Sequence, residues 1–115
     1  MLGYALVIFA IGALGGIALA SFVLRGRLAP WPLSLLHAAL GAIGLLILLY
    51  AALSTGISKA ALTAFVILII AALGGFYLAS IHLRGKVAQT PIVFVHAGVA
   101  VIGFLTLLGV VFGAL

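Results

Sequence analysis

The segment VLRGRLAPWPLSLLH, residues 23–37, has a second copy fifty-nine positions later, HLRGKVAQTPIVFVH, residues 82–96. Each copy has two basic residues around a glycine, then a proline, then a histidine five residues after that proline. Together the copies hold four of the five cations and all three histidines of the 115-residue chain. Because long apolar runs flank both copies, each is expected to form the turn of a helical hairpin.

The composition requires a lipid environment for most of the chain. Apolar residues make up 69% of it, charged residues only 4%, and Asp and Glu are absent. A soluble domain has about a quarter charged residues, so this chain is unable to cover a surface that faces water. The formal charge of +5 comes from cations between apolar runs, which favours headgroup anchors over nucleic-acid binding. The absence of cysteine excludes disulfides and thiolate metal sites.

Four apolar runs are long enough to cross a bilayer as helices, since a hydrocarbon core of about 30 Å needs about 20 residues. Pro32 and Pro91 fit the first turn of a helix, where a missing N–H is harmless. Gly26 and Gly85 fit helix C-terminal turns, and Ser58 fits an N-cap. Neither a cleavable signal peptide nor a soluble domain is expected. The predicted helices span residues 2–24, 33–53, 59–83 and 92–114.

An internal duplication is predicted from the alignment of the chain with itself. At a shift of 59, residues 13–46 and 72–105 are identical at 17 of 34 positions without gaps. Repeat 1 then comprises residues 1–56 and repeat 2 residues 57–115. Two spans per repeat preserve orientation, which predicts a pseudo-two-fold axis along the membrane normal. The predicted fold class is all-α, an integral membrane four-helix bundle made of two tandemly repeated antiparallel helical hairpins.

The cations predict the orientation in the membrane. Four of them lie in the two RG[RK] connections, and only Lys59 lies at the other end of the spans. By the positive-inside tendency, the RG[RK] connections are cytoplasmic and both termini lie on the outer side of an inner or plasma membrane.

All three histidines are expected to face the interior of the bundle, and His82 follows Gly75 and Ala79 at i+7 and i+3 on one face of its own helix. His37 shares one helical face with Gly41 and Gly44, at i+4 and i+7, and His96 has the same i+7 relation to Gly103. In lipid, faces of small residues let helices approach closely. The imidazoles of His37 and His96 are therefore expected at one depth, on opposite sides of the bundle axis.

A polar side chain at membrane depth is by default a functional hypothesis, and this pattern favours haem b. His37 and His96 would be the axial ligands of the haem iron, with room for the macrocycle beside the deeper glycines. Arg25 and Arg84 would pair with the propionates. His82 would bond a propionate or replace one axial ligand. The predicted function is a small electron-transfer or redox subunit that needs a partner. A chlorophyll-type pigment on one histidine is a variant.

The main alternative is a non-catalytic accessory or structural subunit of a larger membrane complex, or of a self-associated one, whose histidines bond neighbouring hydroxyls or carbonyls. At the level of architecture alone, the arrangement resembles the four-helix membrane anchors of b-type cytochromes, a likeness that leaves the function open.

Other functional classes lack necessary residues. Small multidrug exporters are similar in length only, since they need an embedded glutamate and this chain has no acid. Transport in general is disfavoured because all three histidines lie at one end of the spans. A zinc or copper site of three histidines would lack carboxylates and supporting methionines. No constellation for nucleophilic catalysis is visible, so an enzyme is not expected.

Overall fold

Four helices make up the regular structure in a computed structural model that describes all residues 1–115. Pro32 and Pro91 lie in the first turns of α2 and α4, so both helices begin two residues before the predicted starts. The last helix stops three residues short of the predicted residue 114, because Gly113 adopts a φ of +76°. The helices are α1 (Leu2–Leu24), α2 (Trp31–Ser54), α3 (Lys59–Leu83) and α4 (Thr90–Val111).

Glycine and serine define the helix ends in the way the sequence predicts. Gly26 and Gly85 both have a φ of +69°, in the left-handed region that side chains with a Cβ rarely adopt. The amide after each glycine donates to a carbonyl five residues back, at 2.9 Å after α1 and 3.2 Å after α3. At the start of α3, the Ser58 hydroxyl accepts a hydrogen bond from the Ala61 amide at 3.1 Å.

The helices form a ring in which each contacts two neighbours. The contacting pairs are α1–α2, α2–α3, α3–α4 and α1–α4, and the backbones of the diagonal pairs do not approach each other closely. We call the line of contact between two neighbouring helices a seam. Only 15 of the 115 residues are buried, and large apolar side chains cover the outside. All four helices are long and apolar enough to cross a membrane, which fits the prediction of an integral membrane protein.

A compact core closes the end of the ring opposite the RG[RK] connections. It combines residues from the first third of α1 and α3 with residues from the last third of α2 and α4. Several of these side chains are related by the shift of 59, such as Ala5 to Ala64 and Leu48 to Leu107, and all four are fully buried or nearly so. The members are Ala5, Leu6, Leu48, Ala64, Leu68 and Leu107.

Two glycines above this core let neighbouring helices approach. A Cβ built on Gly44 would lie 2.6 Å from the ring of Phe9 on α1. A Cβ built on Gly103 would lie 2.8 Å from Cγ of Leu68 on α3. Both distances are too short for carbon atoms in contact, so a larger residue at either position would force the facing side chain, or the helix that carries it, to shift. These glycines therefore serve helix packing in the α1–α2 and α3–α4 seams.

Substitution of two glycines on the same helix tests this packing. Gly44→Ala is expected to lower the free energy of unfolding by about 1–3 kcal/mol, because the methyl group overlaps the Phe9 ring. Gly41→Ala is the matched control, since a Cβ there meets nothing within 4 Å, and alanine favours a helix. Unfolding of the purified protein in mixed micelles with increasing SDS measures both. Equal destabilisation by the two changes would contradict the packing role of Gly44.

Candidate functional site

A cavity of about 640 Å³ runs from the RG[RK] connections into the centre of the ring. Residues of all four helices line it, and most of them are apolar. Arg27 and Lys86 lie at its connection end, and Phe65 and Phe104 line its deep part. Its size falls within the range of about 300–1,000 Å³ that is typical of small-molecule and cofactor sites.

The cavity opens to the outside along the α2–α3 seam. Leu46 and Leu49 of α2 and Ile69 and Phe76 of α3 line the cavity, yet each is at least 39% exposed. Their equivalents at the shift of 59, on α4 and α1, do not line it. These residues mark a side opening in the α2–α3 seam, at the depth of the apolar spans.

His37 of α2 donates a hydrogen bond to the main chain of α1. Its Nδ1 lies 2.8 Å from the carbonyl oxygen of Gly12. A carbonyl oxygen only accepts, so Nδ1 carries the proton, and in the neutral ring Nε2 has a free lone pair. The bond closes the α1–α2 seam and orients the imidazole at the same time.

His96 of α4 makes the same bond in the α3–α4 seam. Its Nδ1 lies 2.8 Å from the carbonyl oxygen of Ala71, the residue 59 positions after the acceptor of the His37 bond. The centroids of the His37 and His96 rings are 6.3 Å apart, and the ring planes are nearly perpendicular at 88°. The two rings thus lie edge to face beside each other, and both of them line the same cavity.

Neither of these histidines has its second nitrogen sealed inside the protein. The hydrogen bonds of His37 and His96 involve Nδ1 alone. No buried side-chain nitrogen or oxygen of the chain lacks a partner. Both Nε2 atoms are therefore accessible, and each carries a lone pair able to bind a metal ion or accept a proton donor.

Two further glycines seat the imidazoles. A Cβ built on Gly16 would lie 2.9 Å from Cε1 of His37, and one on Gly75 would lie 3.2 Å from Cε1 of His96. Small residues recur every four positions on α1, at Gly12, Gly16 and Ala20, and on α3, at Ala71, Gly75 and Ala79. These two stripes leave room for the rings as well as for neighbouring helices. The site prediction did not include Gly16 and Gly75, and the sequence signal for them is limited to their place among small residues that recur every four positions.

The three glycines predicted to make room for a macrocycle lie in two different environments. Gly41 lines the cavity, and the space beside its Cα is open. Gly44 and Gly103 do not line the cavity and contact side chains of α1 and α3 instead.

His82 has both ring nitrogens bonded to the protein. Nε2 lies 3.0 Å from the carbonyl oxygen of Ala29 and donates to it, so Nδ1 accepts from the Ser34 hydroxyl at 3.2 Å. The Trp31 ring stands nearly perpendicular to the imidazole, with centroids 4.5 Å apart. These contacts tie the end of α3 to the first turn of α2 and to the connection before it. Neither nitrogen of His82 retains a free lone pair for an iron atom.

The four cations of the connections differ in position. Arg25 and Arg84, predicted to pair with propionates, donate from Nε to the carbonyl oxygens of Ser21 and Ser80 on their own helices, and neither lines the cavity. Arg27 and Lys86, two residues further along, line its connection end. All four side chains are exposed.

Comparisons of the chain with protein-family models, with curated proteins and with solved structures find no match.

Proposed function

We propose that the protein binds haem b between His37 and His96 and acts as a small electron-transfer or redox subunit of a membrane. One observation carries the proposal. Each of the two rings donates Nδ1–H to a main-chain carbonyl at 2.8 Å and leaves Nε2 accessible. Histidines that ligate metals commonly have this arrangement, because the bond through the other nitrogen fixes the tautomer and the ring orientation.

The separation of the rings supports ligation of one iron atom by both. Two metal–nitrogen bonds of about 2 Å each, plus half the width of each imidazole, span roughly 6 Å. The observed distance between the ring centroids is 6.3 Å. When bound in this way, haem would supply one-electron transfer, and neutral imidazoles are frequent axial ligands for it. The chain's own residues would hold the ligand rings, exclude water and neutralise the propionates.

The shape and charge of the cavity also support an anionic ligand with a large apolar body. The lining is apolar along most of its depth and basic at one end, where Arg27 and Lys86 lie. Because the chain has no acid, these cations have no internal counter-ion. Two propionates at that end would form charge-assisted hydrogen bonds with Arg27 and Lys86, or with Arg25 and Arg84 close by in the sequence.

The membrane organisation that goes with this site is the predicted one. Two tandem antiparallel hairpins, residues 1–56 and 57–115, would be related by a pseudo-two-fold axis, with the RG[RK] connections on the cytoplasmic side. The equal bonds of His37 to Gly12 and of His96 to Ala71 support this symmetry. Electron transfer would also need a partner, either another membrane subunit or a second copy of the chain.

The alternative function, an accessory or structural subunit without a cofactor, has support from the same bonds. All three histidines join neighbouring segments of the ring, and such bonds contribute about 0.6 kcal/mol each in membrane proteins. Under this alternative the cavity would be filled by lipid or by a partner subunit. Spectroscopy separates the two functions because only one of them requires a chromophore.

The first prediction of the proposal concerns the histidines. Protein purified from haem-replete cells, or incubated with haemin, is expected to show a Soret band that shifts on reduction. His37→Ala and His96→Ala should each lose the bis-histidine spectrum, since each removes one axial ligand. His82→Ala is the control, because it removes an imidazole of the same region that has no free nitrogen. Absorption spectra are recorded for the reduced and oxidised forms of the wild-type protein and the three variants.

Two results would contradict this assignment. If the wild-type protein is colourless and does not take up added haemin, the cofactor proposal is wrong and the accessory function remains. If His82→Ala removes the spectrum while His37→Ala preserves it, haem binds elsewhere than between the two symmetric rings.

The second prediction separates the two pairs of cations. Replacing Arg27 and Lys86 together by glutamine is expected to raise the dissociation constant for haem about threefold to tenfold, through the loss of two partly exposed ion pairs. The same change at Arg25 and Arg84 should alter the free energy of haem binding by less than about half as much, because neither residue lines the cavity. Titration of the apoprotein with haemin measures both. The reverse order would assign the propionates to Arg25 and Arg84.

The third prediction tests the orientation. The chain contains no cysteine, so single-cysteine variants report one position each. In intact cells, Ser54→Cys is expected to react with a membrane-impermeant maleimide, and Leu28→Cys is expected to react only after lysis. The opposite pattern would place the RG[RK] connections on the outer side.

A further inference from the structure

A second, shallower pocket of about 230 Å³ lies on the outside of the bundle, where α3 ends and the connection to α4 begins. Three apolar residues of α3, the connection and α4 form part of its wall, and the polar part contains two cations, a phenol and an amide. Of these four, only Lys86 also borders the histidine cavity. The polar residues are Tyr77, Arg84, Lys86 and Gln89.

Most of the donor groups of this pocket have no acceptor within the chain. Arg84 uses Nε for the carbonyl oxygen of Ser80 at 3.3 Å, so its terminal nitrogens remain free. The Tyr77 hydroxyl, the Lys86 ammonium and the Gln89 amide take no part in the side-chain hydrogen bonds of the chain. With no acid anywhere in the sequence, the counter-ion of this cluster has to come from another molecule.

We propose that this pocket binds the phosphate of an acidic phospholipid. Tyr77 is 53% exposed and lies seven residues before Arg84, about 10 Å deeper along the helix. The pocket therefore extends from the level of the headgroups towards the acyl chains. An acidic lipid fits both parts, because its phosphate accepts hydrogen bonds from the cations and its chains cover the apolar wall. Free phosphate would leave that wall exposed.

The first repeat offers a natural comparison for this site. It keeps both cations, as Arg25 and Arg27, but has Ala18 at the position of Tyr77 and Pro30 at the position of Gln89. Neither replacement has a side-chain donor. The Arg25 guanidinium lies 5.0 Å from the centre of the Phe22 ring, so it is engaged with an aromatic face. The proposed site belongs to the second repeat alone.

The test is lipid retention by the full-length protein. Native mass spectrometry of protein extracted from vesicles of phosphatidylglycerol and phosphatidylcholine in equal amounts is expected to show about tenfold more bound phosphatidylglycerol. Tyr77→Phe should lower that preference about threefold to tenfold, since one hydrogen bond to a charged group is lost. Arg84→Gln with Lys86→Gln should remove the preference, and Arg25→Gln with Arg27→Gln should preserve it within about twofold. Circular dichroism verifies that each variant is folded.

Three outcomes would overturn the proposal. Equal losses in the two double variants would mean that the lipid responds to surface charge in general. An unchanged preference in Tyr77→Phe would place the lipid outside this pocket. Displacement of phosphatidylglycerol by an equal concentration of inorganic phosphate would identify a site for a free anion. The Tyr77→Phe result does not depend on haem, because Tyr77 does not line the histidine cavity, whereas Lys86 borders both sites.

Discussion

Hydrogen bonds from imidazole nitrogens to main-chain carbonyls link neighbouring segments at three of the four seams of this bundle. In lipid the hydrophobic effect does not drive helices together, so close packing and interhelical hydrogen bonds have to do so. His37 closes the α1–α2 seam, His96 the α3–α4 seam, and His82 ties α3 to the connection before α2. No side-chain hydrogen bond crosses the α1–α4 seam, which depends on packing alone. The bonds that position His37 and His96 also set their tautomers. The same two bonds therefore join neighbouring helices and leave each Nε2 unprotonated.

The two halves of the chain agree where the rings face each other and differ at the membrane surface. His37 and His96, 59 positions apart, have equivalent acceptors at equal distances. His82 has Val23 as its counterpart, and Tyr77 has Ala18. These differences give the second half one additional tie between helices and one additional polar pocket. The equivalent positions lie at the cavity, and the differing ones give one side of the bundle features that the other side lacks.

Local chemistry made the spans and their ends predictable, whereas the partners of the polar side chains were not. Run length fixes where a helix is able to cross a bilayer, and residues such as Gly26 and Pro32 act within a single turn. The acceptors of His37 and His96 are carbonyl oxygens, which every residue has, so no pattern of side chains indicates them. A glycine beside a histidine is equally ambiguous, because Gly41 borders open space and Gly44 contacts a phenyl ring.

The cavity opens at the RG[RK] connections, where its border is basic, and along the α2–α3 seam, where its border is apolar. Arg27 and Lys86 border the first, and exposed side chains such as Leu46 and Phe76 border the second, which opens along the flank of the bundle. An amphiphilic ligand could thus enter from the surrounding leaflet through the α2–α3 seam. Its charged group would stay at the membrane–water interface while its apolar part moved through the α2–α3 seam. The charged group would then not cross hydrocarbon, and the apolar part would not cross water. The rate of exchange would depend on the concentration of the ligand in the leaflet instead of its solubility in water.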